Sequence, residues 1–317
     1  MRYTGPAASL PADSGVPRPC YNLAMGYLDR IAECNAHDLD GFLPFRVGGV
    51  QHGWVRPGFA RRLADFPEAF EVDDACVRTA PALAGFEERT EAAASALRAL
   101  SDSGELGRWR DEAYPVGDSL FGPHSMLMDR SAIPFFGVRA YGVHVNGYVR
   151  DGGRLLMWIG RRAADKATYP DMLDNFVAGG QPAGIGLMEN VIKEAGEEAG
   201  VPKALAAAAR AVGAVSYCQE TEEGLKPDTI YCYDLELPVS FVPGNRDGEI
   251  AEFHLWPVER VMETVAETRA FKFNCNLVCI DFFVRHGLID PESGDYLDIV
   301  HGLRRGNSGN ARAAAVR

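Results

Sequence analysis

The 317-residue chain has no uninterrupted apolar run near the roughly 20 residues that a membrane-spanning helix needs. Its first stretch, MRYTGPAASLPADSGVPRPC, lacks the apolar segment of a secretory signal and reads as a disordered leader rich in Pro, Gly and Ala. Positive charge is in deficit. The 32 Lys and Arg stand against 44 Asp and Glu, a net charge of -12, which argues against a nucleic-acid or anionic-membrane surface. The seven cysteines (Cys20, Cys34, Cys76, Cys218, Cys232, Cys275 and Cys279) form an odd, scattered set without a CxxC pair. That pattern argues against a disulfide framework and fits reduced thiols. Together these absences predict a cytoplasmic protein with no membrane and no nucleic-acid partner.

What is present is the composition of an ordinary globular protein, 47% apolar and 24% charged, in a chain long enough for two domains. The expected division is a leader at 1–20, an α/β domain at 21–125, a second domain at 126–290 and a tail at 291–317. In the first domain, Tyr21–Asn35 has helical spacing and Phe42–Val55 reads as a hairpin around Gly48-Gly49. A helix over Pro57–Phe66, a strand within Glu68–Val77 and a helix over Phe86–Leu100 follow. Trp54, Trp109 and Tyr114 are core residues by default, or aromatic faces for a ring-bearing substrate. Asp118–Ser131, with Gly122-Pro123, reads as a linker. Beyond it, Phe136–Arg150 and Arg154–Arg162 read as strands joined at Gly152-Gly153, with His144 packed or at the surface. Further strands are expected at Val212–Gln219, Thr229–Leu237 and Glu249–Trp256, and helices at Pro257–Arg269 and Phe271–His286. The last is apolar, suited to packing or to a homodimer contact, and its Cys275 and Cys279 read as core.

The densest signal lies in Gly179–Val201, GGQPAGIGLMENVIKEAGEEAGV. Gly179, Gly180, Gly184 and Gly186 are entropically unfavourable unless the backbone turns sharply or approaches a ligand closely. They lead into a helix whose Met188, Val191, Ile192, Ala195 and Ala199 form one apolar stripe. Glu194, Glu197 and Glu198 share a flank beside it, where like charges repel. A hard divalent cation relieves that repulsion, since clustered carboxylate oxygens are what Mg²⁺ or Mn²⁺ requires. A solvated acidic face is the plainer alternative. Upstream, Arg161, Arg162 and Lys166 supply cations, either solvated or suited to phosphate oxygens.

This stretch resembles the Nudix hydrolases, whose box runs G-x5-E-x7-R-E-U-x-E-E-x-G-U with U aliphatic. Gly179, Glu194, Ala195, Glu197, Glu198, Gly200 and Val201 match, Lys193 stands for the arginine, and Ile185 replaces the first glutamate. Loss of both of those positions together reads as a swapped structural pair. The resemblance implies an α/β/α sandwich with a mixed sheet, preceded by the smaller α/β domain. It also implies Mg²⁺ or Mn²⁺ held by Glu194, Glu197 and Glu198, joined by a backbone carbonyl at Ala178 or Gly179. A downstream acid completes the set, with Glu249 ahead of Glu222 and Glu252. Glu194 and Glu198 take the catalytic roles, and Arg161, Arg162, Lys166 and Gly180 face the diphosphate.

Two further runs, WIGRRAADKATYPDMLDNFVAGGQPAG and SYCQETEEGLKPDTIYCYDLELP, extend the likeness to a Nudix group related to the Nudix half of fungal thiamine pyrophosphokinase fusions. That group carries an N-terminal domain of unknown function. The implied activity is hydrolysis of thiamine diphosphate or its oxidised analogues to the monophosphate and phosphate. Pyrophosphohydrolysis of ADP-ribose or NADH, and non-catalytic ligand sensing, remain as alternatives.

Overall fold

In the computed structural model, residues 24–306 are described; the leader at 1–20 and the end of the tail lie outside them. The chain begins with α1 (Ala24–Glu33), then a hairpin of β1 (Leu43–Val47) and β2 (Val50–Val55). Next come α2 (Pro57–Leu63), β3 (Phe70–Val72), β4 (Val77–Thr79) and α3 (Phe86–Asp102). These strands form a mixed sheet in the order β2-β1-β4-β3. Its core gathers Phe45, Phe59, Leu63, Phe70, Leu97 and Phe136. A second hairpin, β5 (Ala113–Gly117) and β6 (His124–Asp129), leads to a helical turn, α4 (Ile133–Phe136).

Two expectations fail here. The stretch read as a linker contains β6, whose alternate residues Met126 and Met128 are buried against β5. The strand expected from Phe136 starts only at Tyr141, because Gly137 closes α4 with a left-handed φ of 53°.

The second region is built on β7 (Tyr141–Asp151) and β8 (Arg154–Arg162), followed by β9 (Leu173–Asp174), β10 (Val177–Gly180) and α5 (Leu187–Ala199). Then come α6 (Lys203–Ala206), β11 (Arg210–Ser216), a small hairpin of β12 (Gln219–Glu220) and β13 (Leu225–Lys226), and β14 (Thr229–Glu236). The chain closes with β15 (Ile250–Pro257), α7 (Val258–Glu267), α8 (Phe273–Arg285) and α9 (Tyr296–Gly302). The main sheet runs β11-β14-β7-β8-β15, with β14 parallel to β7 and the other pairs antiparallel.

β7 is buried on both faces, as expected of a strand between two helical layers. Val143, Val145 and Val149 pack toward α5, while Tyr148 joins the core under α7 and α8. β7 and β8 pair only near their shared turn, from Tyr148 and Met157 outward. Beyond that point they splay, and β9 and β10 fill the gap by pairing with β8 and β7 respectively. Phe176, between them, is fully buried against Gly147, where a Cβ would lie 2.5 Å from its ring. The split places β10 as an edge beside α5.

The helical layer departs from the expected division of the chain. Tyr27 and Ile31 of α1, with Cys34 just after it, share one core with α7 and α8, and so do Ile299 and Leu303 at α9, a helix inside the stretch read as a tail. α1 crosses α7 so closely that a Cβ at Gly26 would sit 2.4 Å from the Ala266 carbonyl oxygen. The apolar face of α8, considered for a homodimer, is consumed in this core. The six described cysteines are buried and free.

Candidate active site

The apolar stripe of α5 fixes which way its acids point. Val191, Ala195 and Ala199 are fully buried against β7 and β10. Gly200 ends the helix at φ 64°, and the Val201 N–H returns to the Ala195 carbonyl at 3.0 Å. That closure explains the Gly200-Val201 pair in the motif. With the stripe down, Glu194 and Glu198 run along β10 and Glu197 faces outward.

Glu198 is buried, and its Oε2 accepts the Ala178 N–H, a free donor on the β10 edge, at 2.9 Å. Burial pushes its carboxyl well above the ordinary value, and the charges of Asp174, Glu194 and Glu249 add to the rise. Glu194 occupies the space a side chain at Gly179 would need, since a Cβ there would lie 2.4 Å from its Cγ. Its carboxyl is raised by burial; Lys193 opposes that rise, and Glu197 and Glu249 add to it. Lys193 Nζ bridges Glu194 at 3.1 Å and Glu197 at 2.8 Å.

Of the three downstream acids, Glu249 enters this field, as its effect on both Glu194 and Glu198 shows. Glu252 pairs instead with Arg161 and His254, and Glu222 is exposed in the turn of the small hairpin.

The loop–helix junction is held by other groups than the motif suggested. Asn190 donates to the Gly180 carbonyl at 2.8 Å and to Gln181 at 3.0 Å, and Gln181 donates to the Ile185 carbonyl at 2.8 Å. Lys193 turns to the glutamates rather than toward Ile185, so these two residues do not act as a swapped pair. Asn190 and Gln181 carry the junction.

The upstream cations separate. Lys166 lies 2.7 Å from Glu249, next to the acids. Arg161 is half-exposed, 3.7 Å from Asp171 and 3.6 Å from Glu252. Arg162, expected to face the diphosphate, is buried. It binds Asp174 at 2.8 Å and the carbonyls of Thr168 and Tyr169, so it braces the loop between β8 and β9.

β10 also borders a cleft whose walls come from both regions; Ala178, Gly179 and Gly180 line it, while Glu194, Glu197, Glu198 and Glu249 do not. Its lining includes Tyr114, Arg130, His144, Tyr169, Ala178, Gly179, Gly180, Lys226, Asp228, Lys272 and Phe273. Tyr114 is thus at the cleft, whereas Trp109 stacks under Arg98 and Trp54 packs beside Phe42 and Leu225. Arg130, Lys226, Asp228 and Lys272 gave no signal in the sequence, since they come from separate stretches without a motif.

His144 is packed at the cleft floor, with Nδ1 2.7 Å from Asn175 Oδ1. Burial and the nearby Lys272 charge lower its pKa to about 4, so it is neutral near pH 7. His144, Asp174 and Cys275 form a second cluster, with ligand-type atoms within 4.8 Å of one another. Asp174 there already accepts from Arg162, the Asn175 N–H and the Cys275 thiol. Arg162 and Lys272 leave this cluster with cations in surplus, which suits a hydrogen-bonded core and opposes a metal ion.

Comparison with known proteins identifies the family. Nudix hydrolase 20 of Arabidopsis thaliana is 43% identical over 88% of this chain and 78% of its own length. The chain belongs to the Nudix hydrolases. Nudix hydrolase 24 of the same plant is also 43% identical, over 89% of this chain and 78% of its own. Residues 26–140 match the family described as Domain of unknown function (DUF4743). Among solved structures, the NUDIX domain of Shewanella oneidensis NrtR complexed with ADP ribose matches at 12% identity. Its TM-score is 0.37, over 49% of this chain and 91% of that one. Both plant relatives are named chloroplastic, which overturns the plainly cytoplasmic location expected above. Scattered thiols and a leader without an apolar segment do not distinguish the cytoplasm from an organelle.

Proposed function

We propose that this Nudix hydrolase cleaves the diphosphate of thiamine diphosphate or of its oxidised analogues, releasing the monophosphate and phosphate. What supports the chemistry is the placement of two acids along β10, Glu194 packed on Gly179 and Glu198 held by the Ala178 N–H, with the charge of Glu249 felt at both. The donor set fits Mg²⁺ or Mn²⁺: carboxylates in surplus over local cations, one of them buried on a single N–H. Glu194, Glu197, Glu198 and Glu249 would hold the ion, with the Gly179 carbonyl. When bound, it supplies Lewis-acid polarisation of phosphoryl oxygen and acidifies water.

The chain's own residues supply the rest. Glu198 is fixed by the Ala178 N–H, which sets the distance between α5 and β10. Glu194 Oε1 is engaged by Lys193, so Oε2 is the atom that takes the proton of the attacking water. Lys166 is paired with Glu249, and Arg161 lies between Asp171 and Glu252, so both are already engaged by carboxylates.

The substrate assignment is supported by where the two additional resemblance runs fall. Thr168, Tyr169 and Ala178–Gly180 come from the first, and Tyr217, Leu225, Lys226, Asp228 and Ile230 from the second; all line the cleft. Tyr114, Tyr169 and Phe273 offer ring faces to a planar organic half. Product formation from thiamine diphosphate, its oxidised analogues, ADP-ribose and NADH, each with Mg²⁺ and with Mn²⁺, is the test. Preferred turnover of an oxidised thiamine diphosphate supports the assignment. Faster cleavage of ADP-ribose or NADH replaces it, and tight thiamine diphosphate binding without products favours a sensor.

A further inference from the structure

The first region of the chain meets the glycine loop directly. The Ala183 N–H donates to the Ala113 carbonyl of β5 at 2.8 Å. One residue along β5, the Tyr114 hydroxyl lies only 2.0 Å from where a Cβ at Gly180 would sit, and the Arg130 guanidinium carbon 3.2 Å from it. Only glycine lets the hydroxyl and the guanidinium come this close to the loop backbone. Tyr114 is 2% exposed as a residue, but its hydroxyl is not one of the buried polar atoms left without a partner; it makes no hydrogen bond among the described residues because it opens on the cleft that Tyr114 lines. Among the described residues, the Arg130 guanidinium hydrogen-bonds through Nη1 alone, to both carboxylate oxygens of Glu112 at 3.3 and 3.0 Å. The side chain is half-exposed and lines the cleft, so the other donors of its planar fork remain available to a ligand there.

A diphosphate entering beside four carboxylates needs cations, and most of those nearby are committed. Lys193 serves Glu194 and Glu197, Lys166 serves Glu249, and Arg162 serves Asp174. We infer that Arg130 and Tyr114, carried by the DUF4743 region, bind a phosphoryl oxygen of the substrate in the space beside Gly180, so that the first region completes the active site. This rests on the diphosphate reading above. Arginine suits the role because its fork presents parallel N–H donors to phosphate, and the Tyr114 hydroxyl adds a directional donor.

The test is titration calorimetry of inorganic pyrophosphate, in saturating Mg²⁺, into the full chain and into R130Q, R130K and Y114F, with E198Q as the reference for a damaged metal site. R130Q is expected to weaken binding by about tenfold or more, R130K to recover part of that, and Y114F to lose a few-fold. Each variant is also melted to confirm its fold. If R130Q is unfolded, R130K and Y114F decide, and binding within about twofold of wild type in both overturns the inference. A folded R130Q that binds like wild type overturns it too, and leaves the diphosphate reading intact if E198Q abolishes binding. A wild-type chain that takes up no pyrophosphate overturns both.

Discussion

Two clusters of ligand-type side chains flank the β7–β10 ladder, and they differ in what surrounds them. On the α5 side, Glu194, Glu197, Glu198 and Glu249 share two lysines, Lys193 and Lys166. On the α8 side, His144, Asp174 and Cys275 share Arg162 and Lys272 around one carboxylate. The second cluster is the tighter and the more buried. Proximity and residue type would select it as a metal centre, yet its two cations already outnumber its one carboxylate. The first has uncompensated negative charge, and that surplus is what an incoming cation removes.

Substitution on each side should break this contrast in opposite ways. The largest effect is expected from Glu198→Gln, which should lower turnover about a thousandfold or more while the thermal melt stays near wild type. Activity close to normal would remove Glu198 from the metal site. Asp174→Asn should do the reverse. Stripping the partner from buried Arg162 should destabilise the fold by about 3–5 kcal/mol in urea unfolding, with Mn²⁺ affinity of the folded fraction unchanged. Weakened Mn²⁺ binding there would mean that the two clusters are one site.

A smaller effect is expected from pH. His144 titrates at about 4 in the native chain against about 6.5 when unfolded. On acidification the unfolded chain therefore takes up the proton first. The stability that this group contributes is complete above about pH 6.5 and is lost progressively as pH falls through 4. Urea unfolding from pH 7 to 4 should show a slope that His144→Gln flattens; an unchanged slope would show that His144 does not titrate there.

The sequence was most legible where the signal is local. Arg154–Arg162 forms the expected strand with the same boundaries. Of the predicted stripe of α5, Val191, Ala195 and Ala199 are buried and Met188 and Ile192 half-buried, while Asn190 and Glu198, outside the stripe, are buried as well. The spacing put Glu194, Glu197 and Glu198 on one flank of that helix, whereas the fold lays Glu194 and Glu198 along β10 and leaves Glu197 exposed. Signals failed where long-range contacts decide. β6 is built on Met126 and Met128, residues with weak strand preference, and it was hidden behind Gly122-Pro123. Arg162 looked like its neighbour Arg161 until Asp174, twelve residues on, claimed it. Tyr114 and Arg130 reach Gly180 only because the β5–β6 hairpin docks there.

The placement of α1 has a practical consequence. Tyr27 and Ile31 sit in the same apolar layer as Val261, Val265, Leu277 and Phe283, although more than two hundred residues separate them along the chain. A fragment trimmed to begin near the Nudix sheet would lose that covering helix and bare a greasy face to water. Expression of such a piece alone should favour aggregates, whereas co-expression with a peptide spanning α1 offers a route to rescue its solubility.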